Sequence, residues 1–536
     1  MRNCLGKHVP RIEARASLRN SALIILRSAF ISAFIILHSA FATSLAAQTA
    51  APYVPLSYWG SPYVEHFIAA GKMVDPAPLT RPFRTDALIS ALQAIDSATI
   101  RRGEWSVVRA MLRDLRRHEN GPWARVDADL GVAAATTSLR DPLELNRGTP
   151  PPSRADTVAR GFVSGGLALT LGLGPVVAVT HPLFDTRLKT DPDWFGKKDR
   201  VIAGRMAESY LAAQWSFGEL FFGRMDRNWG PSVTQGLLLS DDPYGLDHLG
   251  VWVGTSALQL QALVTQLDSR ADSTGAIERR FMVQHRLWVR PGGGRWTVAL
   301  WEGLVWSGAD RGLEPWYANI LNLGILEQLN TGTNVNSLLG VDLERRGNTT
   351  LYAQAMLDDI QVDRKTVTDK KPASWALTVG AKGGLAGAAW TLFYTQVANL
   401  TYRNEDNFQV PLYHGLGTGR NFADYDQATL RVSAIGPGGV LVAPEVTWLR
   451  QGEGDPRLAH PDPAAYASTA ALFQGVVERT LRLALGVDWS GGPITLSGDG
   501  GFHLVSNDAH VIGRNATRFV GSVKLSWRWR RESLLP

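Results

Sequence analysis

From Trp123 to Trp529 the sequence falls into about eighteen strand-like segments whose links alternate between very short and long. Gly172–Gly174, Ser216–Gly218, Pro291–Gly294, Arg346–Asn348, Gly436–Gly439 and Ser490–Gly492 are tight turns, in which glycine supplies positive φ. Between them run the long links 140–158, 184–200, 225–246, 307–335, 360–374, 401–427 and 450–478. Such an alternation fits antiparallel strands that cross a membrane with turns on one side and loops on the other. The expected fold is an all-β transmembrane barrel of about 18 antiparallel strands, with its turns in the periplasm and its loops outside.

The segments themselves alternate with a period of two. In the last one Phe519, Gly521, Val523, Leu525, Trp527 and Trp529 share one face, and Arg518, Ser522, Lys524, Ser526 and Arg528 the other. Leu481, Leu483, Leu485, Val487 and Trp489 likewise oppose Thr480, Arg482, Ala484, Gly486 and Asp488, and Phe281, Val283, Leu287 and Val289 oppose Arg280, Gln284 and Arg286. One face suits lipid and the other a wet lumen. A soluble sandwich also alternates, but this many strands would need two sandwiches and a linker that the sequence lacks. Glu302 breaks the pattern, since it shares the parity of Trp296, Val298, Leu300 and Leu304; a bulge or an inverted face would turn it away from lipid. Eighteen Trp and twelve Tyr suit aromatic girdles, with Trp123, Trp215, Trp306, Trp390, Trp448 and Trp489 at segment ends.

Residues 1–47 read as a secretory signal peptide. Arg2, Lys7, Arg11, Arg15 and Arg19 precede an apolar run that ends in small residues near Ala46 and Ala47, and Arg27 makes the run too short for a spanning helix. This leader holds six Lys/Arg and one Glu; without it the chain's 55 basic and 49 acidic residues become 49 and 48. The near balance excludes a nucleic-acid binder, which needs a basic stripe. Cys4, the only cysteine, lies in the leader, so the mature chain has no disulfide, thiol nucleophile or thiolate metal site. Residues 48–120 form a small periplasmic α-helical region, and residues 121–536 the barrel. A first helix opens at Ser61–Pro62 and runs through Ala70, Thr85 caps a second that runs to Ser97, and Trp105, Val108, Leu112 and Leu115 mark the inner face of a third. Three short helices bury little core alone, which makes them either a plug at the barrel's periplasmic mouth or an assembly contact.

The sequence offers no HExxH, G-x-S-x-G or phosphate-cradling loop and no paired metal-ligand spacing, so no catalytic residue, metal or cofactor is expected. A hydrolase with a Ser/His pair brought together by the fold stays open. The segment 221–243, FFGRMDRNWGPSVTQGLLLSDDP, is the most distinctive. With YVPLSYWGSPYVEHFIAAGKM at residues 53–73 and LYAQAMLDDI at residues 351–360, it resembles the Wzi-like capsule assembly family. That resemblance implies an eighteen-strand outer-membrane barrel closed below by helices, which holds capsular polysaccharide at the cell surface. A polysaccharide-binding set in the external loops would be Arg224, Arg227, Trp229, Asp241, Asp242, Trp316, Tyr317, Asp358, Asp359, Tyr402 and Tyr413, the charged groups meeting hydroxyls or uronates and the rings the apolar sugar faces. The expected protein is therefore a non-enzymatic, monomeric barrel whose partners are capsular or other exopolysaccharide and outer-membrane lipid. The alternative is a porin or substrate channel, which uses the same barrel with an open lumen.

Overall fold

The computed structural model describes residues 49–116, 121–146, 160–200, 202–231, 234–331, 334–359 and 370–535; the expected signal peptide lies outside them. Eighteen strands form one closed antiparallel barrel. They are β1 Trp123–Ala135, β2 Arg160–Leu173, β3 Val176–Asp185, β4 Ala203–Trp215, β5 Gly218–Arg224 and β6 Asp247–Gly254. Next come β7 Leu258–Gln266, β8 Ile277–Val289, β9 Trp296–Gly308, β10 Asn336–Arg345, β11 Thr349–Asp359 and β12 Ser374–Leu385. The last six are β13 Ala388–Val397, β14 Tyr425–Ile435, β15 Leu441–Gln451, β16 Glu478–Gly491, β17 Ile494–Ser506 and β18 Asn515–Leu534. β1 closes the ring against β18, from Trp123 opposite Leu534 to Ala135 opposite Ser522. The ladder slips at Pro182, which has no N–H to donate, between β3 and β4, and again between Leu357 and Asp359 where β11 meets β12.

Period-two patterning places the side chains. Phe519, Val523, Leu525, Trp527 and Trp529 of β18 and Leu481, Leu483 and Leu485 of β16 are exposed on the outer wall, while Thr480 and Arg482 are buried in the lumen. An outer wall of this composition, on a barrel with no open edge, requires an apolar surrounding, so the strands span a membrane. Among the described residues no helix is long and apolar enough to cross one. The aromatic girdle departs from the sequence expectation. Trp448 is exposed, but Trp123, Trp215 and Trp306 are buried; exposed Trp296, Trp527 and Trp529 take their place on the wall.

Helices α1 Ser61–Ala69, α2 Thr85–Gln93 and α3 Arg102–Leu115 gather at the short-turn mouth. Their core of Tyr63, Phe67, Leu88, Leu92, Val108 and Met111 is shared with Ile435 and Leu441 of the barrel. Polar contacts fix the seat: the Tyr63 hydroxyl is 2.9 Å from the Gly439 carbonyl, Arg101 donates to the Gly387 carbonyl at 3.0 Å, and Arg528 reaches Asp114 at 3.3 Å. Two details differ from the sequence reading. Thr85 does not cap α2, because its hydroxyl donates to the Pro52 carbonyl at 2.8 Å, and the helix ends at Gln93. The inner face of α3 is Glu104, Val107, Val108, Met111 and Leu115, with Trp105 and Leu112 only partly buried; Glu104 turns inward because Lys72 and Arg101 neutralise it at 2.7 and 2.8 Å.

Candidate functional site

The lumen is filled from both ends. Loop 225–246 leaves the long-loop end and turns down into the barrel, where Asn228 and Trp229 pair with Arg81 and Thr80 of the chain entering from the helical side. Gly230 continues the pairing by donating to the Leu79 carbonyl at 3.0 Å. Its φ is +138, and a Cβ there would lie 2.8 Å from the Gln354 amide, so only glycine fits. Around this junction Trp229, Leu237, Leu238, Leu239, Tyr402 and Tyr425 form a buried core inside the barrel. Arg286 of β8 clamps it, donating to the Leu79 carbonyl, the Thr80 hydroxyl and the Asp342 carboxylate, each at 2.9 Å, with its guanidinium 5.1 Å from the centre of the Trp229 ring.

This arrangement redistributes the residues proposed for polysaccharide contact. Trp229 and Arg227 are buried, and Arg227 lies over the rings of Phe221 and Trp252 at 4.4 and 4.7 Å. Tyr402 is buried too: its hydroxyl donates to the Leu237 carbonyl and its N–H to Asp358, both at 2.6 Å. Arg227, Trp229 and Tyr402 are buried in the lumen filling, and Asp358 is half-buried beside it. Tyr317 is buried against the outer wall, with Trp316 exposed beside it. Asp359 sits at the rim, 2.6 Å from Lys371, which also reaches Glu405 at 3.0 Å.

Four of the set stay together at the loop end. Arg224 pairs with Asp247 at 2.5 Å beside Tyr413. Phe195, 40% exposed, stacks flat on His414 with ring centres 4.0 Å apart, and Tyr413 stands edge-on to both. Trp194 supports Phe195 from below at 5.0 Å and meets Tyr244 edge-on. Arg140 lies over the Tyr244 ring at 4.1 Å and donates to the main-chain carbonyls of Asp241 and Asp242. Burial, with Arg270, Arg280 and Arg224 nearby, holds the His414 imidazole below the usual histidine range despite Asp268. A neutral ring on a neutral ring is a flat apolar step edged by Arg224 and Asp247, which suits a sugar face flanked by hydroxyls. Sequence reading missed Trp194, Phe195, Tyr244, His414 and Arg140; an adjacent Trp–Phe pair in a long polar loop was the available signal.

Below this step a cavity of about 1090 Å³ runs down the wall made by β13 to β18, β1 and β2, as far as Tyr58, Trp59 and Ser61 of the helical unit. Arg482 projects into it between Glu445 and Asp499, and Asp141, Glu144, Asp241 and Asp242 crowd its upper part. Desolvation, with the Glu144, Asp241 and Asp141 carboxylates close by, pushes Asp242 well above the usual carboxylate range. Among the described residues no group of three or more His, Cys, Asp or Glu is placed to hold a metal ion.

No family model matches the sequence, and no curated protein does. The fold is similar to that of Wzi, an outer membrane protein involved in group 1 capsule assembly in Escherichia coli and a carbohydrate-binding β-barrel. The TM-score is 0.54 at 13% identity, over 84% of this chain and 93% of that one. OpdK of Pseudomonas aeruginosa is similar with a TM-score of 0.43 at 14% identity, over 76% and 99%. OprD of the same organism gives 0.42 at 10%, over 77% and 96%. At these identities the likeness is one of fold.

Proposed function

We propose that this chain is an outer-membrane barrel, closed to free diffusion, that holds capsular or other surface polysaccharide at its loop end without transforming it. The lumen filling carries this reading: loop 225–246 is spent on pairing with Thr80 and Arg81, so the barrel centre is packed with Trp229, Leu237 and Tyr402 where an ordinary pore would hold water. The stacked Phe195 and His414 step, with Arg224, Asp247 and Tyr413 at its edge, supplies the flat apolar and charged hydrogen-bonding groups that a sugar chain needs. The likeness in fold to a carbohydrate-binding barrel agrees with it. In this reading the helices α1 to α3 face the periplasm.

The test is the ratio of cell-bound to shed polysaccharide in a strain lacking the gene, complemented with wild type or with a Phe195→Ala, Arg224→Ala double variant. Loss of glycan to the medium that wild type reverses and the double variant does not supports attachment at this step; an unchanged ratio in the deletion strain defeats it. A substrate channel is the second reading, favoured by the cavity along β13 to β18, which gives a small solute a polar path beside the filling. Steady ion current from the intact protein in a planar bilayer would select it.

A further inference from the structure

Glu302 stands on the outward face of β9, where neither a bulge nor an inverted face removes it: β9 pairs in unbroken register with β8 and β10 on both sides. Trp296, on the same face, marks the short-turn edge of the wall. Six residues at about 3.4 Å each, on a strand tilted about 40°, put Glu302 about 15 Å above that edge, inside an apolar band about 25 Å tall.

The carboxylate is covered from outside. Helices α4 Pro315–Ala318 and α5 Gly324–Thr331, in the link between β9 and β10, lie on the outer wall. Glu302 accepts from the first N–H groups of α5, Gly324 at 2.9 Å and Ile325 at 3.3 Å, and is 2.8 Å from the His285 ring. Tyr317 packs with Phe281, Val283, Leu304 and Trp306, wall residues that would otherwise face lipid. The covering segment then presents apolar side chains of its own. Leu313, Trp316, Leu323 and Leu326 are about half exposed and Leu321 is 78% exposed. They continue the bare wall at Leu300 and Val341. Two hydrogen bonds tie the turn between the helices: Asn319 accepts from the Leu321 N–H at 3.1 Å, and the Asn322 amide donates to the Trp316 carbonyl at 3.0 Å.

We propose that residues 309–331 form a hook inserted in the membrane, held to the barrel by Glu302 and contacting lipid acyl chains through Leu321, Leu323 and Leu326. Lipid is the occupant because the hook's apolar surface is continuous with the lipid-facing wall and lies at the depth of the acyl chains. Its role is lateral, and it stands or falls independently of polysaccharide attachment.

The lone Cys4 allows a clean test. Spin labels are placed singly at Leu321→Cys, Leu326→Cys, Leu300→Cys and Ile512→Cys in a Cys4→Ser chain, and the barrel is reconstituted in phosphatidylcholine–phosphatidylglycerol vesicles. Labels at 321 and 326 are expected to collide with oxygen several-fold more than with a water-soluble nickel chelate, as at 300, while 512 shows the reverse. Nickel access at 321 and 326 overturns the proposal. So does protection from both reagents with spin–spin broadening, which would mean that a second copy covers the hook. Glu302→Ala should then mobilise the 326 label, whereas Glu302→Gln, which keeps an oxygen for the α5 N–H groups, should not; immobility in the Ala variant removes Glu302 as the anchor.

Discussion

Replacing Arg286 by methionine should unfasten the lumen filling without opening the wall. Its guanidinium is fully buried and makes three hydrogen bonds, two of them to the entering chain at Leu79 and Thr80. Breaking a buried ion pair by removing one partner costs about 3–5 kcal/mol. The low end applies, because Asp342 keeps donors from Trp301 and Gln354, both at 2.8 Å. About 3 kcal/mol corresponds to roughly a 150-fold rise in the population with Thr80–Arg81 disengaged from Asn228–Trp229. Amide hydrogen exchange in detergent reads this directly, with faster exchange expected at residues 79–81 and 228–230 and little change across β10 and β11. Brief current bursts in a planar bilayer should accompany it. Unchanged exchange at residues 79–81, or an equal rise along the whole barrel, would refute the reasoning.

Other outcomes follow from the same contacts. Trp229→Ala leaves a ring-sized void in the filling and should cost about 3–5 kcal/mol of local stability, seen as exchange at 228–246, while Arg224→Ala should leave exchange there unchanged. His66 is held at about 4, by burial first and by Lys72 next, with Glu104 opposing at 4.0 Å; its Nδ1 faces Ser433. The folded form thus binds its proton less readily than the unfolded form, so its contribution is constant above about pH 6.5 and stability falls as pH drops from there to about 4. Exchange at α1 should quicken across that window, and His66→Asn should abolish the dependence; a flat profile in wild type would contradict it. His414→Ala should weaken polysaccharide retention without altering bilayer current, since its ring lies outside the filling.

The strands and their faces were legible because lipid and lumen impose opposite chemistry on alternate residues, and β16 and β18 show it residue by residue. Four of the six tight turns were legible for a local reason, since Gly174, Gly293, Gly438 and Gly492 take positive φ, whereas the turns at 216–218 and 346–348 form without a positive-φ glycine. What escaped is what non-local contact decides. Nothing in 225–246 distinguishes a loop that projects from one that turns inward; the choice rests on its fit to Arg286, Gln354 and Thr80, far away in sequence. Glu302 was recognised as a conflict, but its resolution lies in α5, more than twenty residues on. In helix α3 Val108 and Leu115 were legible as inner-face residues, but Glu104 was not, because it looks polar until Lys72 and Arg101 are seen beside it. At the loop end, Arg224, Asp241, Asp242 and Tyr413 were noticed as chemistry, whereas Phe195 and His414 come from two different loops and meet only in the folded chain.

The junction of Thr80–Arg81 with Asn228–Trp229 also defines a path for force. Tension on loop 225–246 from one side of the membrane passes through that short ladder to the chain leading into α1 and α2 on the other. Because the two segments lie antiparallel and their hydrogen bonds run across the strands, the load is shared among Gly230, Leu79 and Arg286, which hands part of it to β8.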